Sequence, residues 1–505
     1  SSGQVLTSGG SGAAVSWSTI SGGASDIGAL DDVLMDATNF VDGILIQTDS
    51  NGSAPTTGTL SSATGNLGIG KDVFEDLTSG TYNVGIGYEV MKQLTNASYH
   101  VGIGYKAMSN IGQTGGGGSV AIGKNAMLNA TSGGQQVAIG EDAMGAGGTN
   151  GGSQNVAIGW EAGKVINNAD YNTFIGTRAG KSNTSGSRNI AIGASSYDAA
   201  DTESDNIAIG YDALGGAVAG GEKNLAIGNY AGDAITSADG SVLVGHQAGS
   251  AITTGVYNVA VGYQALDAVT TNGQNVAVGY SALGQCTSGN NVAVGADAGR
   301  ALTSGGQNVF VGYATGYYAT SSANTLVGYG AGDNVTSGGN NTLIGVTAGG
   351  AINTGTDNIM LGRNAGDNIT SGDNNVIIGA IDADSATADD QLIIASGDGG
   401  VTWIKGDSNG GIASKAQVVA VTGNTTLTEA QSGSYVYWTA GSCTLPTSAT
   451  VGTQFTIFNN TGSSATVGLG TNNSIVSNWA TNAAVADNEA TSYICVSATN
   501  WVQVG

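Results

Sequence analysis

A five-residue motif, Asn-Val-Ala-Ile-Gly or a near variant, recurs through most of this chain. Its final glycine falls at 70, 87, 104, 123, 140, 159, 176, 193, 210, 228, 245, 262, 279, 295, 312, 328, 345, 362 and 379. That makes 19 copies and 18 spacings, of which 13 are 17 residues and the rest lie between 16 and 19. A period this tight makes each copy one rung of a stack in which no rung buries its apolar face alone. The expected fold is all-β. A parallel β-solenoid or β-roll of about 19 rungs with a 17-residue period comes first, and a small C-terminal β-sandwich-like domain follows. At ~4.8 Å per rung the stack would run roughly 90 Å.

Within the motif, alternation reads as a short strand. The residue before each glycine is Ile, Val or Leu, as at Ile69, Ile158, Val261 and Ile378. The residue two earlier is Val, Ile, Leu or Thr, as at Val84, Val156, Val276 and Thr342, so these two share a face. The residue between them is usually Gly or Ala (Gly85, Ala157, Ala208, Ala277) and becomes bulky in later rungs (Phe310, Leu343, Met360, Ile377). It is expected on the opposite face, meeting a partner subunit. Three residues after the glycine stands Ala in 14 copies, and seven after it another apolar residue (Leu77, Ile166, Ile235, Val269, Leu302), with Cys286 in that slot once. The return turn is often Thr-Ser-Gly, as at Thr78-Ser79-Gly80 and Thr336-Ser337-Gly338, residues that bond locally or take positive φ. Two prolines in the whole chain agree with an unbroken ladder.

Two columns invite a functional reading. Fifteen copies carry Asn four residues before the glycine, among them Asn155, Asn172, Asn258, Asn291 and Asn375; His100, Ser119, Gln136 and Ser241 replace it elsewhere. Either these form a row of ligands or, the reading preferred, a structural ladder of stacked amides. Directly after the glycine stand Tyr88, Tyr105, Trp160, Tyr211, Tyr263, Tyr280, Tyr313 and Tyr329, with His246 in the same place. They form either a row of faces for sugar rings or, again preferred, aromatics packed on one another or on a neighbouring subunit.

The Asn-x-Ala-Ile-Gly, Ala-Gly, Thr-Ser-Gly pattern over residues 61–400 resembles the hemagglutinin-type head repeats of YadA-like trimeric adhesins. It is closer still to the repeats of bacteriophage tail-fibre proteins. The resemblance implies trimers of left-handed parallel β-rolls. It also implies an N-terminal connector over 1–60, the solenoid shaft over 61–400, a cap or neck over 401–414 and a C-terminal β tip over 415–505. Tyr435, Tyr437, Trp438, Trp479 and Trp501 of the tip are the candidate receptor contacts, several of them expected in its core.

Charge narrows the partners. Thirteen Lys and Arg against 37 Asp and Glu leave a net −24, the opposite of a nucleic-acid footprint, and no apolar run is long enough to insert in a membrane. No cofactor is implied. Asp382, Asp384, Asp389 and Asp390 are a weak Ca²⁺ candidate, read as a solvated loop. Three cysteines are no disulfide framework; Cys443 and Cys495 could pair, but all three read better as small buried groups. The two histidines, His100 and His246, sit in repeat slots, and no catalytic triad or zinc spacing accompanies them. Acidic residues on adjacent rungs, Asp72 with Glu89 and Asp142 with Glu161, offer the ~5–9.5 Å separation a glycosidase needs, but Lys106, Arg178 and Ser195 share their column, which reads as a solvated corner.

The chain starts at Ser1 without a cationic, apolar leader, and is read as processed or as part of a longer product. The function expected is a structural and receptor-binding protein, not an enzyme: a trimeric phage tail fibre on the virion. Its expected partners are its own copies, other tail proteins and a host-surface glycan or protein. The alternatives are an extracellular filament subunit and a bacterial adhesin head.

Overall fold

The structure, a computed structural model, describes residues 43–46 and 62–406 except 112–116, 130–133 and 147–151. It also describes strands and short segments between 4 and 41 and between 412 and 504. Among the described residues it is all-β, with no helix, and its main feature is a parallel β-solenoid of about 21 turns with a period near 17 residues. Contacts divide the chain into two units, Ser1–Gln391 and Leu392–Gly505.

In the first unit every motif copy is a three-residue strand in parallel register with the next. Val259-Ala260-Val261 pairs residue for residue with Val276-Ala277-Val278, and so on from Leu67–Ile69 to Val376–Ile378. The motif glycine ends the strand for two reasons. Gly262 has φ +141°, and a Cβ there would lie 2.3 Å from the carbonyl oxygen of Gly279 one turn on. Glycine is stacked on glycine, so a side chain has neither the backbone conformation nor the room.

The solenoid starts earlier than residue 61. Ile44–Ile46 joins the ladder in parallel register with Leu67–Ile69, so part of the expected connector is solenoid. Its 23-residue offset, and Gln47 where a glycine would stand, hide it from the period.

The inside of the roll reverses one expectation. The strand centre points inward: Ala208, Phe310, Leu343, Met360 and Ile377 are all 0 % exposed. The flanking aliphatics point out, as at Ile175 (36 %), Val294 (39 %) and Leu361 (45 %). The bulky later centres therefore contact their own core, not a partner.

What admits them is a size exchange across the roll. The fourth residue after the motif glycine also enters the core, with φ between about +49° and +62°. Where the strand centre is Gly or Ala, this residue is often large: Phe74, Met91, Met127, Tyr197, Leu214, Leu266, Leu283. Where the centre is Phe174, Leu243, Phe310, Leu343 or Met360, it is glycine. A Cβ on Gly180 would lie 2.6 Å from the Phe174 ring, and one on Gly366 would strike the Met360 sulfur. Turns with both positions small precede a large centre that fills their space: Gly163 faces Phe174 and Gly299 faces Phe310 of the following turn. Large and small side chains thus complement each other within and between turns, as a close-packed core demands.

In the second unit the pairing changes. Leu392–Ala395, Thr402–Gly406 and Ile412–Ser414 form an antiparallel meander, so the boundary expected at 400 falls at 391. Beyond it, among the described residues, one six-stranded mixed sheet and separate two-stranded pairs stand where a small β-sandwich-like domain was expected. Its first three strands, Val418–Val421, Ser434–Trp438 and Gln454–Asn459, are parallel, and Val418 pairs Tyr435 17 residues on. The last strands, Glu489–Ser497 and Asn500–Val504, pair antiparallel.

Candidate functional site

The asparagine column is a hydrogen-bonded ladder along one inner corner. Asn291 shows the pattern. Its Oδ1 accepts the backbone N–H and the side-chain N–H of Asn308 at 3.0 and 3.1 Å, while its Nδ2 donates to the Gly305 carbonyl at 3.1 Å. Asn155, Asn172, Asn258 and Asn375 take the same place, all 0 % exposed. Each amide satisfies backbone groups that would otherwise be buried unpaired, at about 1–3 kcal/mol each. With every side-chain atom committed and none at the surface, the column has nothing to offer a ligand.

A second ladder stands two residues earlier and was not legible in the repeat, because its members vary. Ser98, Asp170, Ser187, Ser204, Asp239, Asp373 and Asp389 each accept a backbone N–H from the preceding turn, at 2.6–3.0 Å. What unites them is a short side chain ending in an oxygen. Asp389 is thereby taken from the calcium candidate. Asp382 hydrogen-bonds Asp367, whose carboxyl is pushed up to about 6 by burial and then by Asp382. Among the described residues no group of three or more His, Cys, Asp or Glu converges on a cation position.

His100 breaks the asparagine ladder. It is 1 % exposed, and among the described residues neither ring nitrogen has a hydrogen-bond partner. Burial lowers its pKa to about 4. The folded chain therefore holds the ring neutral, while the unfolded chain takes up a proton near pH 6.5. Stability is full above about pH 6.5, falls as pH drops towards 4, and levels off below. The loss is about 3 kcal/mol at 1.36 kcal/mol per pH unit. Unfolding midpoints measured between pH 7 and pH 4 are expected to fall less for His100→Asn, which restores the ladder residue. An equal fall in both proteins would show that His100 does not carry the effect.

The aromatic column stacks on itself. Tyr88 and Tyr105 lie 5.2 Å apart at 8°, His246 and Tyr263 5.4 Å at 9°, Tyr263 and Tyr280 5.5 Å at 6°, and Tyr313 and Tyr329 5.2 Å at 17°. Tyr230, one residue further along its turn, extends the run edge-on between Tyr211 and His246. Paired rings cover one face of each other, and most of the column is about half exposed, as at Tyr105 (46 %), Trp160 (47 %) and Tyr280 (51 %).

The acidic corner is neutralised by neighbouring turns. Glu161 contacts Lys164 at 2.5 Å and Lys181 at 2.9 Å, and the hydrogen bond from Lys164, then that from Lys181, holds its carboxyl below the usual range. Glu89 likewise sits between Lys92 and Lys106. Glu161 is thus held ionised, whereas a general acid needs a raised pKa. Cys286 and Cys443 are buried free thiols, which removes the Cys443–Cys495 pairing.

In the second unit the candidate contacts separate. Trp438 is 2 % exposed and belongs to the core with Val436, Phe455 and Ile457; it is not a surface contact. Tyr437, on the other side of the same strand, is 42 % exposed and stacks on Phe458 at 5.5 Å and 6°. The alternation Tyr-Val-Tyr-Trp placed aromatics on both sides and did not say which side was core. Tyr435 and Trp501 lie on strands whose backbone alone is described, and Trp479 lies outside the described residues.

The outer face of the solenoid sheet is a further surface feature. Each of its strands presents two aliphatic or Thr side chains, such as Val292 and Val294, Val309 and Val311, Ile359 and Leu361, in two unbroken columns. Among the described residues no helix is long and apolar enough to cross a membrane. No protein-family model, no curated protein and no solved structure matches the chain.

Proposed function

We propose that this chain is the subunit of a trimeric fibre of the phage tail-fibre kind. In this reading it is a structural and receptor-binding protein of the virion, without a catalytic role. The solenoid unit is the shaft. The C-terminal unit makes contact with a glycan or protein of the host surface, and three copies give avidity.

The outward aliphatic face carries this reading. About 20 strands at ~4.8 Å, two side chains wide, expose an apolar strip on the order of 1,000 Å². Monomers rarely show patches beyond ~300–600 Å², whereas a standard interface buries ~800 Å² per partner. Copies of the same chain suit the strip best, because their columns repeat at the same spacing and mesh turn by turn. The sequence resemblance implies three copies.

The test is the native mass by light scattering coupled to size exclusion. A mass near three times 49.4 kDa is expected. A monomer overturns the fibre, and an open-ended polymer replaces it with a filament subunit.

A further inference from the structure

The two ladders cover gaps in each other. Where Gly273, Gly289 and Gly306 leave the second ladder without a side-chain oxygen, Asn275, Asn291 and Asn308 keep the first. Where His100 and Ser241 interrupt the first, Ser98 and Asp239 keep the second. Of the 19 motif copies only two lack both: Ser119 with Gly117, and Gln136 with Gly134. These two turns are adjacent, and the two longest spacings of the repeat, both 19 residues, flank them. The interruption leaves buried polar atoms without a partner among the described residues. They are the Oε1 of Gln136, which is 0 % exposed, and both ring nitrogens of His100 on the turn before, which is 1 % exposed. Such atoms cost stability, so packing alone gives no reason to keep them. Breaks of this kind in an otherwise consistent chain concentrate where it has a function.

At the same turns the surface has a hollow of about 340 Å³, lined by Gly117, Gly134, Gln135, Ser153 and Gln154. Its size lies in the range of small-ligand pockets, ~300–1,000 Å³. Tyr99 stands at one end, 61 % exposed: a Cβ on Gly117 would lie 3.2 Å from its ring. One face of that ring stacks on Tyr82 at 5.4 Å and 14°. On the opposite side the next member of its column is Gly118, which brings no side chain to cover it, and a Cβ there would meet nothing within 4 Å. The rim is amide. Gln154 Nε2 donates to Gln135 Oε1 at 3.0 Å, and this leaves the Nε2 of Gln135 and the Oε1 of Gln154 without a partner among the described residues. One donor and one acceptor thus remain side by side on adjacent turns.

We propose that this hollow is a binding site for a neutral saccharide. A sugar ring has an apolar face of C–H groups, which an aromatic face attracts, and a rim of hydroxyls that each donate and accept. Tyr99 supplies the first, the Gln135–Gln154 pair and Ser153 the second, and the glycines let the ring approach the backbone. The lining has no charged residue, and the charged side chain bonded to it, Asp170 on the Ser153 N–H, is anionic. A phosphorylated or sulfated ligand would need a fixed cation there. The site belongs to the solenoid, not to the C-terminal unit given the host contact above, so it stands or falls separately from the fibre reading.

The test uses the full chain on a biosensor with immobilised neutral oligosaccharides of glucose, galactose, mannose and N-acetylglucosamine, and a sulfated oligosaccharide as a second arm. Binding to at least one neutral oligosaccharide is expected. Tyr99→Ala and Gln154→Ala are each expected to weaken it about tenfold, the worth of one aromatic contact or one hydrogen bond. Tyr99→Phe keeps the ring and is expected to bind within about threefold of the parent, which separates stacking from loss of fold. Tyr257→Ala is the control: it is in the same column and 61 % exposed, but away from the hollow, and is expected to change nothing. If no neutral oligosaccharide binds, if binding survives both Tyr99→Ala and Gln154→Ala, or if Tyr257→Ala weakens it equally, the site is overturned. Binding of the sulfated oligosaccharide alone overturns the neutral class. None of these outcomes bears on the native mass, which tests the fibre.

Discussion

Val294→Asp combined with Val311→Asp is expected to reduce the native mass from about three times 49.4 kDa to a single chain. The two residues pair on adjacent strands of the outward face and are 39 % and 36 % exposed in the single chain. On an isolated chain the aspartates meet water and the core behind them, Ala293 and Phe310, is untouched. In an assembly that covers the strip, each copy would bury two adjacent carboxylates against apolar columns. Burying an uncompensated charge costs several kcal/mol, and here it recurs in every copy. Val294→Thr is the matched control. Thr173, Thr325 and Thr342 already stand in the outward columns, so the mass is expected to stay that of the parent. Gln285→Asp, exposed on another face, controls for added charge. If the double aspartate variant keeps the parent mass, the strip is not the interface and the trimer loses its main support.

Phe310→Ala is expected to cost about 3–5 kcal/mol of stability, the usual result for a large ring removed from a closed core. Phe310 is 0 % exposed and fills space on both sides of its own level. Cβ atoms built on Gly299 and Gly316 would come within 2.6 and 2.8 Å of its ring. The size exchange makes a stronger prediction for the double variant. Gly316→Leu alone adds a side chain where the ring already lies, and it should destabilise by more than ~1–3 kcal/mol, the common cost of overpacking. Combined with Phe310→Ala, the same leucine takes space the ring has left, as Leu283 accompanies the small centre Ala277 in an earlier turn, with Leu326 of the following turn as its remaining close neighbour. The backbone is ready for it: Leu283 has φ +51° and Gly316 φ +57°. The double variant is therefore expected to be more stable than either single one, with a coupling of roughly 2–3 kcal/mol. Urea unfolding at one fixed protein concentration measures all four proteins. Additive losses would mean that the two positions do not share one space.

Much of this was readable from residues. The 17-residue period gave the parallel solenoid, because only identical turns in register repeat that closely. The asparagine column gave a ladder, because one amide can both accept from and donate to backbone, and each copy sits one turn from the next. The second ladder was hidden because Ser and Asp satisfy the same N–H, so chemistry was kept while identity varied. The turn at Ile44–Ile46 was hidden because a longer connection follows it and no glycine closes it. The four aspartates near 382–390 were a weak Ca²⁺ candidate beside the preferred solvated loop, because sequence distance says nothing about convergence. In space, one caps a backbone N–H and another shares a hydrogen bond with Asp367.

Alternation in the motif determined that Val-Ala-Val is a strand with two faces and that glycine must end it. It did not determine which face is inside, because both faces are apolar and a three-residue strand offers no polar side to orient it. Only the tertiary structure decided that. The answer lies in a residue four places beyond the glycine, whose left-handed backbone turns it into the core and whose size must complement the strand centre. The same ambiguity held at Tyr437 and Trp438, neighbours with opposite fates. Residue order therefore gave the stack, its spacing and its ladders. Close packing across each turn decided which apolar columns became core and which became the face left for other molecules.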